Sequence, residues 1–279
     1  GIPYYFSLMD KSLSLAQNVD NLFFREDSEL RDEFSALYRA LFRKPEPYIT
    51  VVTTLANVGK GMTRRELVSR TGLADNGAFS SVLEELEQCG FIRSYLPFGT
   101  PALSSENRLP KETLFQLVDF FTMFYFSFMQ KNRYRDTQFW SHSVNSPAHN
   151  AWAGLAFEKL CLAHLPQIKQ RLGISGVQTN ACSWLSKGTS PKAQIDLLID
   201  RRDDTVNLCE MKFSRTEYEI DSSEEQKLCR RIEVFQKETD TNKSIILTLV
   251  TTEGLKRNSH SDVVQSLVVV DDLFVPMFY

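Results

Sequence analysis

Apolar and polar residues follow two different periods along this chain, and the change of period divides it. Up to about residue 150 the rhythm is helical. SLSLAQNVDNLFF (12–24) and DSELRDEFSALYRALF (27–42) place apolar residues three and four apart. In the second, Ser28 is the expected N-cap, and Leu30, Phe34, Leu37 and Leu41 form the expected stripe. RKPEPY (43–48) is a breaker and marks a boundary. YITVVTTLANVG (48–59) predicts a helix ended by Gly59. Thr63 and Glu66 form a capping box opening a second helix, and GAFSSVLEELEQCG (77–90) predicts a third, stopped by Gly90. FIRSYLPF (91–98) and ETLFQLVD (112–119) read as strands around the polar loop GTPALSSENRLPK (99–111). DFFTMFYFSFMQKNRY (119–134) predicts a strongly apolar helix serving as core between domains, and WSHSVNSPAHN (140–150) an irregular stretch.

Beyond residue 150 the period shortens. AWAGLAFEKLCLAHLPQIKQRLG (151–173) predicts one long helix or a broken pair. GVQTNACSWL, AQIDLLIDR and TVNLCEMKF read as three strands, SSEEQKLCRRIEVFQKET as a polar helix, and KSIILTLVTT and SLVVVDDLF as further strands. Helix, three strands, helix, strand is an α/β or α+β arrangement. Four segments result: 1–47 helical, 48–118 three helices and a strand pair, 119–150 connecting helix and loop, and 151–279 a sheet domain.

One of these strands carries charges where a buried strand wants none. In NLCEMKFS (207–214), Glu210 and Lys212 share a face, because strand side chains alternate. AQIDLLIDRRDDTVNLCEMKF reads as a hairpin, and pairing its arms sets Asp196 beside or nearly opposite Glu210. On the preceding helix Glu158 is a polar residue amid Leu155, Phe157 and Leu160. Neighbouring carboxylates resist ionising together, and a hard divalent cation removes that penalty. A bound cation acidifies water and screens phosphodiester charge, while a lysine orients the water or stabilises the oxyanion. Glu-x-Lys alone is weak: a second copy at 225–227 sits on a helix as a solvated face, Gln226 and Lys227 included. An edge strand bearing an ordinary ion pair is the plainer reading of Glu210 and Lys212.

Composition narrows the classes further. Hydrophobic residues make up 42% and charged residues 24%, and the net charge is -3, so contact with nucleic acid must come from a local patch. Five cysteines without a C-x-x-C pair, and four histidines without finger or H-E-x-x-H spacing, argue for reduced thiols in a cytoplasmic protein and against zinc. FFTMFYFSFM (120–129) is too short to span a bilayer, so no membrane is expected. The opening GIPYYFSLMD, apolar and without Met, reads as the interior of a longer polypeptide.

The order Glu158, Asp196, Glu210-x-Lys212 resembles the PD-(D/E)XK nuclease superfamily over roughly residues 150–250. That resemblance implies a restriction-endonuclease-like αβββαβ core and Mg²⁺ or Mn²⁺ held by Asp196, Glu210, Glu158 and the backbone carbonyl of Met211. It also implies Lys212 acting on water. KAQI precedes Asp196 where the family often has a proline. Residues 48–118 resemble a winged helix-turn-helix. The whole chain resembles the C-terminal part of prokaryotic AAA-type ATPases, with residues 1 to about 42 as the tail of the ATPase lid. No Walker A motif occurs, NVGKGMT (57–63) lacking its first Gly and its Lys-Ser/Thr end, so no ATP site is expected in this chain and the ATPase domain is an expected partner. DNA is the other expected partner, through Lys60, Arg64, Arg65, Asn76, Ser80, Ser81 and Arg93. Against this, the third helix carries Glu84, Glu85 and Glu87 and no base, which suits a connector between protein domains equally well. The alternative to a nuclease is a non-catalytic DNA- or protein-binding module on an inactive nuclease fold.

Overall fold

A computed structural model describes residues 2–100, 109–133, 135–188 and 193–277. The chain is built of helices and two sheets, an α/β composition, and it divides into two compact units. The first comprises Gly1–Ser94 and Leu114–Ala153, the second Tyr95–Thr113 and Gly154–Tyr279. Part of the expected loop between the 91–98 and 112–119 strands, residues 101–108, lies outside the described residues.

The first unit runs α1 (Pro3–Ser7), α2 (Leu15–Phe23), α3 (Glu33–Leu41), α4 (Glu46–Ala56), β1 (Met62–Thr63), α5 (Arg64–Thr71), α6 (Gly77–Gln88), β2 (Ile92–Tyr95), β3 (Leu114–Leu117), α7 (Phe120–Phe124) and α8 (Phe139–Ser143). Local signals work where both partners lie close in sequence. Thr63 and Glu66 form the expected reciprocal capping box at the start of α5. Ser28 is not a cap, because α3 begins five residues later, at Glu33. Its buried stripe is Leu30, Phe34, Tyr38 and Phe42, while Leu41 is exposed. Aromatic partners far along the chain decide this: Tyr38 packs on Phe34 and Phe91 and its hydroxyl meets Thr122 Oγ1 at 3.3 Å. The prolines of RKPEPY open α4 instead of separating domains, since a helix start has no use for their missing N–H. Residues 140–150, expected to be irregular, contribute to α8 and to the first turn of the next helix.

β1, β3 and β2 form a three-stranded sheet in that spatial order. Gly61 has φ +81, and a Cβ there would stand 2.6 Å from the Phe115 carbonyl oxygen, so the approach to β3 requires glycine. The apolar stretch after β3 is α7 followed by a π-helical turn, Tyr125–Met129. It lies in the core of the first unit, where Phe124 and Phe128 cluster with Phe24 and Trp140.

α9 (Pro147–Ala163) and α10 (Leu165–Arg171) are the broken form of the long helix, with Pro166 just past the break. The second unit continues with β4 (Thr179–Leu185), β5 (Gln194–Arg201), β6 (Thr205–Lys212), α11 (Ser222–Thr239), β7 (Ser244–Thr251) and β8 (Ser266–Val269). The sheet order is β4-β5-β6-β7-β8: β4, β5 and β6 form an antiparallel meander, and β7 and β8 add in parallel. The sheet is coated on both faces. One core holds Leu208, Leu228, Phe235 and Trp184, the other Phe157, Cys161, Leu197 and Cys209. The end of the predicted 91–98 strand belongs to this unit: Pro97 bridges Ser183 on the free side of β4, and the Phe98 N–H donates to the Ser183 carbonyl at 2.7 Å. The edge of β4 is thereby covered.

Candidate functional site

β5 and β6 pair Leu197↔Cys209 and Leu198↔Leu208. Asp196 lies one residue beyond the last of these pairs, at the end of the sheet where β6 carries Glu210 and Lys212. On its other side β5 pairs Leu198 with Cys182 and Ile195 with Trp184, so it holds one residue more than β4 across that step. The extra residue is a bulge at Asp196–Leu197. It brings Ile195 and Leu198 into one core cluster and re-aims Asp196. The amide of Gln194 donates to the Asp196 carboxylate.

Glu158 reaches the same place from α9. Its carboxyl is pushed up from 4.5 to about 7, first by burial and then by the charges of Asp196 and Glu210, with Lys159 and Lys212 opposing. Glu158 thus lies near enough to Asp196, Glu210 and Lys212 to feel their charges. Lys159, buried beside Glu158, holds its Nζ 3.9 Å from a Glu158 oxygen.

Glu210 and Lys212 point the same way, as their spacing predicts, with Lys212 Nζ 3.0 Å from Glu210 Oε1. Sequence reading missed what faces them. Glu224 and Arg231 stand seven residues apart on α11, two turns, and so share a face with the buried Leu228 between them. Arg231 donates to Glu210 Oε2, and Lys212 Nζ lies 2.7 Å from Glu224 Oε1. Tyr218 donates its hydroxyl to Glu224 at 3.2 Å, and Lys212 sits 5.6 Å over the Tyr218 ring. Burial opposes the Lys212 charge, but Glu210 and Glu224 outweigh it and raise its pKa. Glu224 is pulled down by Lys212 against its own burial. The spacing of Glu224, Leu228, Arg231 and Phe235 was the available signal: charged residues on the apolar side of a helix need partners beneath it. Of Gln226 and Lys227, Lys227 approaches Glu224 at 3.6 Å and is largely solvated, as a surface face would be.

All the donors are oxygens, which suits a hard divalent cation, and the raised Glu158 marks negative charge that such a cation would relieve. Glu158, Asp196 and Glu210 would be its carboxylate ligands, with the Met211 carbonyl beside them on β6. Among the described residues, however, no group of three His, Cys, Asp or Glu side chains stands ready to hold a metal ion. Both Glu210 oxygens are engaged, one by Lys212 and one by Arg231.

In the first unit the residues expected at DNA are partly occupied. Arg64 donates to Asp75 at 2.7 Å, to Ser80 Oγ at 3.0 Å and to the Asn76 carbonyl at 3.1 Å, with its guanidinium 5.1 Å over Phe79. The Asn76 side chain caps α6, Ser81 bonds back to Gly77, and Arg93 donates to Gln116. Lys60 and Arg65 are exposed. Two of the acids on α6 also have local work: Glu85 accepts from the Tyr48 hydroxyl, and Glu87 from the Ser94 N–H and hydroxyl.

Comparison with family models, curated proteins and solved structures finds no match to this chain. No helix among the described residues is long and apolar enough to cross a membrane.

Proposed function

We propose that the second unit is a metal-dependent phosphodiester hydrolase of the PD-(D/E)XK type acting on DNA, and that the chain is the C-terminal part of an AAA-type ATPase. The observation that supports it is the Lys212–Glu210 pair on β6 at the end of the sheet where β5 carries Asp196, with Glu158 near enough to feel these charges. The meander followed by α11 and the parallel β7 is consistent with that fold. The first unit's helices and small sheet would be its winged helix, meeting DNA through Lys60, Arg65 and the flanking Arg93.

Each residue has a role its surroundings support. Asp196, Glu210 and the Met211 carbonyl would hold Mg²⁺ or Mn²⁺, and Glu158 would complete or support the set. The cation would supply an acidified water and charge neutralisation at the phosphate. Lys212 stays protonated across the physiological range, so it serves as an electrostatic donor that orients water or meets the developing oxyanion, not as a base. The test is plasmid cleavage by the full chain with Mg²⁺. Cleavage is expected for the wild type and lost in Lys212→Ala and Asp196→Ala; equal cleavage by all three overturns the reading.

One observation favours the second reading, a binding module on an inactive fold. The pairs Glu210–Arg231 and Lys212–Glu224 satisfy those four charges without a metal. A wild type that retards DNA on a gel yet never cuts it with Mg²⁺ or Mn²⁺ would select this reading.

A further inference from the structure

The charges around the candidate site are unevenly spread. Glu210, 14% exposed, has two cations, Lys212 at 3.0 Å and Arg231 in direct contact. Around the end of the sheet, Glu158 has Lys159 at 3.9 Å and Asp196 has the amide of Gln194. On the metal-dependent reading a divalent cation held by Asp196 would also draw on Glu210, whose charge Glu158 feels together with that of Asp196. A carboxylate oxygen bound to a guanidinium is a weaker inner-shell ligand for a cation, because the two positive groups repel across it in a half-buried place.

We propose that Arg231 is a positioning residue that competes with the divalent cation for Glu210. The Arg231–Glu210 ion pair and the cation-bound carboxylate are then alternative states of one site. This rests on the metal-dependent reading above. In the first state Arg231 holds Glu210 against α11, and Glu224 seven residues earlier holds Lys212 in the same way. Both active groups of the Glu-x-Lys pair are thus docked on a single helix face. When a cation takes Glu210, Arg231 is released at the rim of the site. Its planar fork there suits a phosphate oxygen pair. The helix would therefore exchange one anion for another, carboxylate for phosphodiester.

The experiment is calorimetric titration of the full chain with MnCl₂, in the wild type, Arg231→Met, Arg231→Lys and Asp196→Asn. Arg231→Met is expected to bind Mn²⁺ at least about tenfold more tightly, and Arg231→Lys to fall between it and the wild type, because lysine keeps the charge without the fork. Asp196→Asn should lose binding. Far-ultraviolet circular dichroism identifies a variant that has not folded, and Arg231→Lys then carries the comparison. Unchanged or weaker Mn²⁺ affinity in the folded Arg231 variants overturns the proposal while leaving the metal site standing, provided Asp196→Asn still abolishes binding. No Mn²⁺ binding by any variant overturns the metal-dependent reading and this proposal with it.

Discussion

The two ends of the β5–β6 hairpin are both charged, and they differ in how the charges are matched. At the turn end Asp200 meets Lys243 at 2.6 Å, Lys243 also donates to the Arg201 carbonyl at 2.8 Å, and Arg201 pairs with Asp203. Asp203 is held below the ordinary carboxylate range by Arg201. Asp200 and Asp203 thus each have a base there. At the other end Glu210 has two cations while Glu158 is half-buried and pushed up to about 7. A count of charges does not tell the two ends apart; their distribution does. Matched pairs are what a folded surface needs for itself. An acid pushed up first by burial and then by neighbouring charges is unfinished, and a ligand can complete it.

The largest difference between the ends should appear in chemistry. Lys212→Ala is expected to lower Mg²⁺-dependent cleavage by about 10²–10³-fold, measured on supercoiled plasmid. The fold beneath both ends gives the next effect. Phe235 is fully buried on α11 against Trp184 and Phe98. Phe235→Ala should destabilise the chain by about 3–5 kcal/mol in urea unfolding. If it does not, α11 is not the fixed platform that sets Glu224 and Arg231 over the Glu-x-Lys pair.

Glu158 sharpens the comparison through pH. Its folded-state value is about 7 against 4.5 for an ordinary glutamate, so between those values the folded chain holds a proton that the unfolded chain has released. Stability from this group therefore falls as pH rises from about 4.5 to 7, and the penalty is complete above 7. Glu158→Gln removes the charge. In a metal-free buffer with EDTA it should match the wild type near pH 4.5 and exceed it at pH 8 by on the order of 2 kcal/mol. Parallel urea midpoints for the two proteins at both values would mean that Glu158 is not held in that strained company.

How much of this was readable beforehand depended on the distance between partners. The Thr63–Glu66 box and the helix 222–239 depend on neighbours, and both stand where the sequence placed them. The hairpin was readable from its apolar arms and charged turn, although the bulge that aims Asp196 was not: nothing within QIDLL distinguishes a bulged strand from a regular one. The α3 stripe shifted from Leu37 and Leu41 to Tyr38 and Phe42 because Phe91 and Thr122, some fifty and eighty residues away, receive that face. Arg231 escaped notice for the same reason. Its partner lies on a strand, and only the sheet's assembly beneath α11 shows that a helix arginine covers Glu210. Periodicity tells which face of an element is buried; it does not tell what that face meets.

The smallest expected effect lies at the turn end and tests whether matched charges are only structural. Lys243 and Asp200 are each about a quarter exposed, at 27% and 28%. Lys243→Met keeps the aliphatic stem and removes the ammonium, leaving Asp200 and the Arg201 carbonyl to water that already reaches them. The loss should be about 1 kcal/mol in urea unfolding, since a partly exposed pair gains little beyond what solvent provides. Cleavage should stay within about twofold of the wild type, well short of the loss expected at Lys212. A large fall in cleavage on removing Lys243 would mean that the two ends of the hairpin act as one electrostatic unit, and the separation of structural from functional charge would fail.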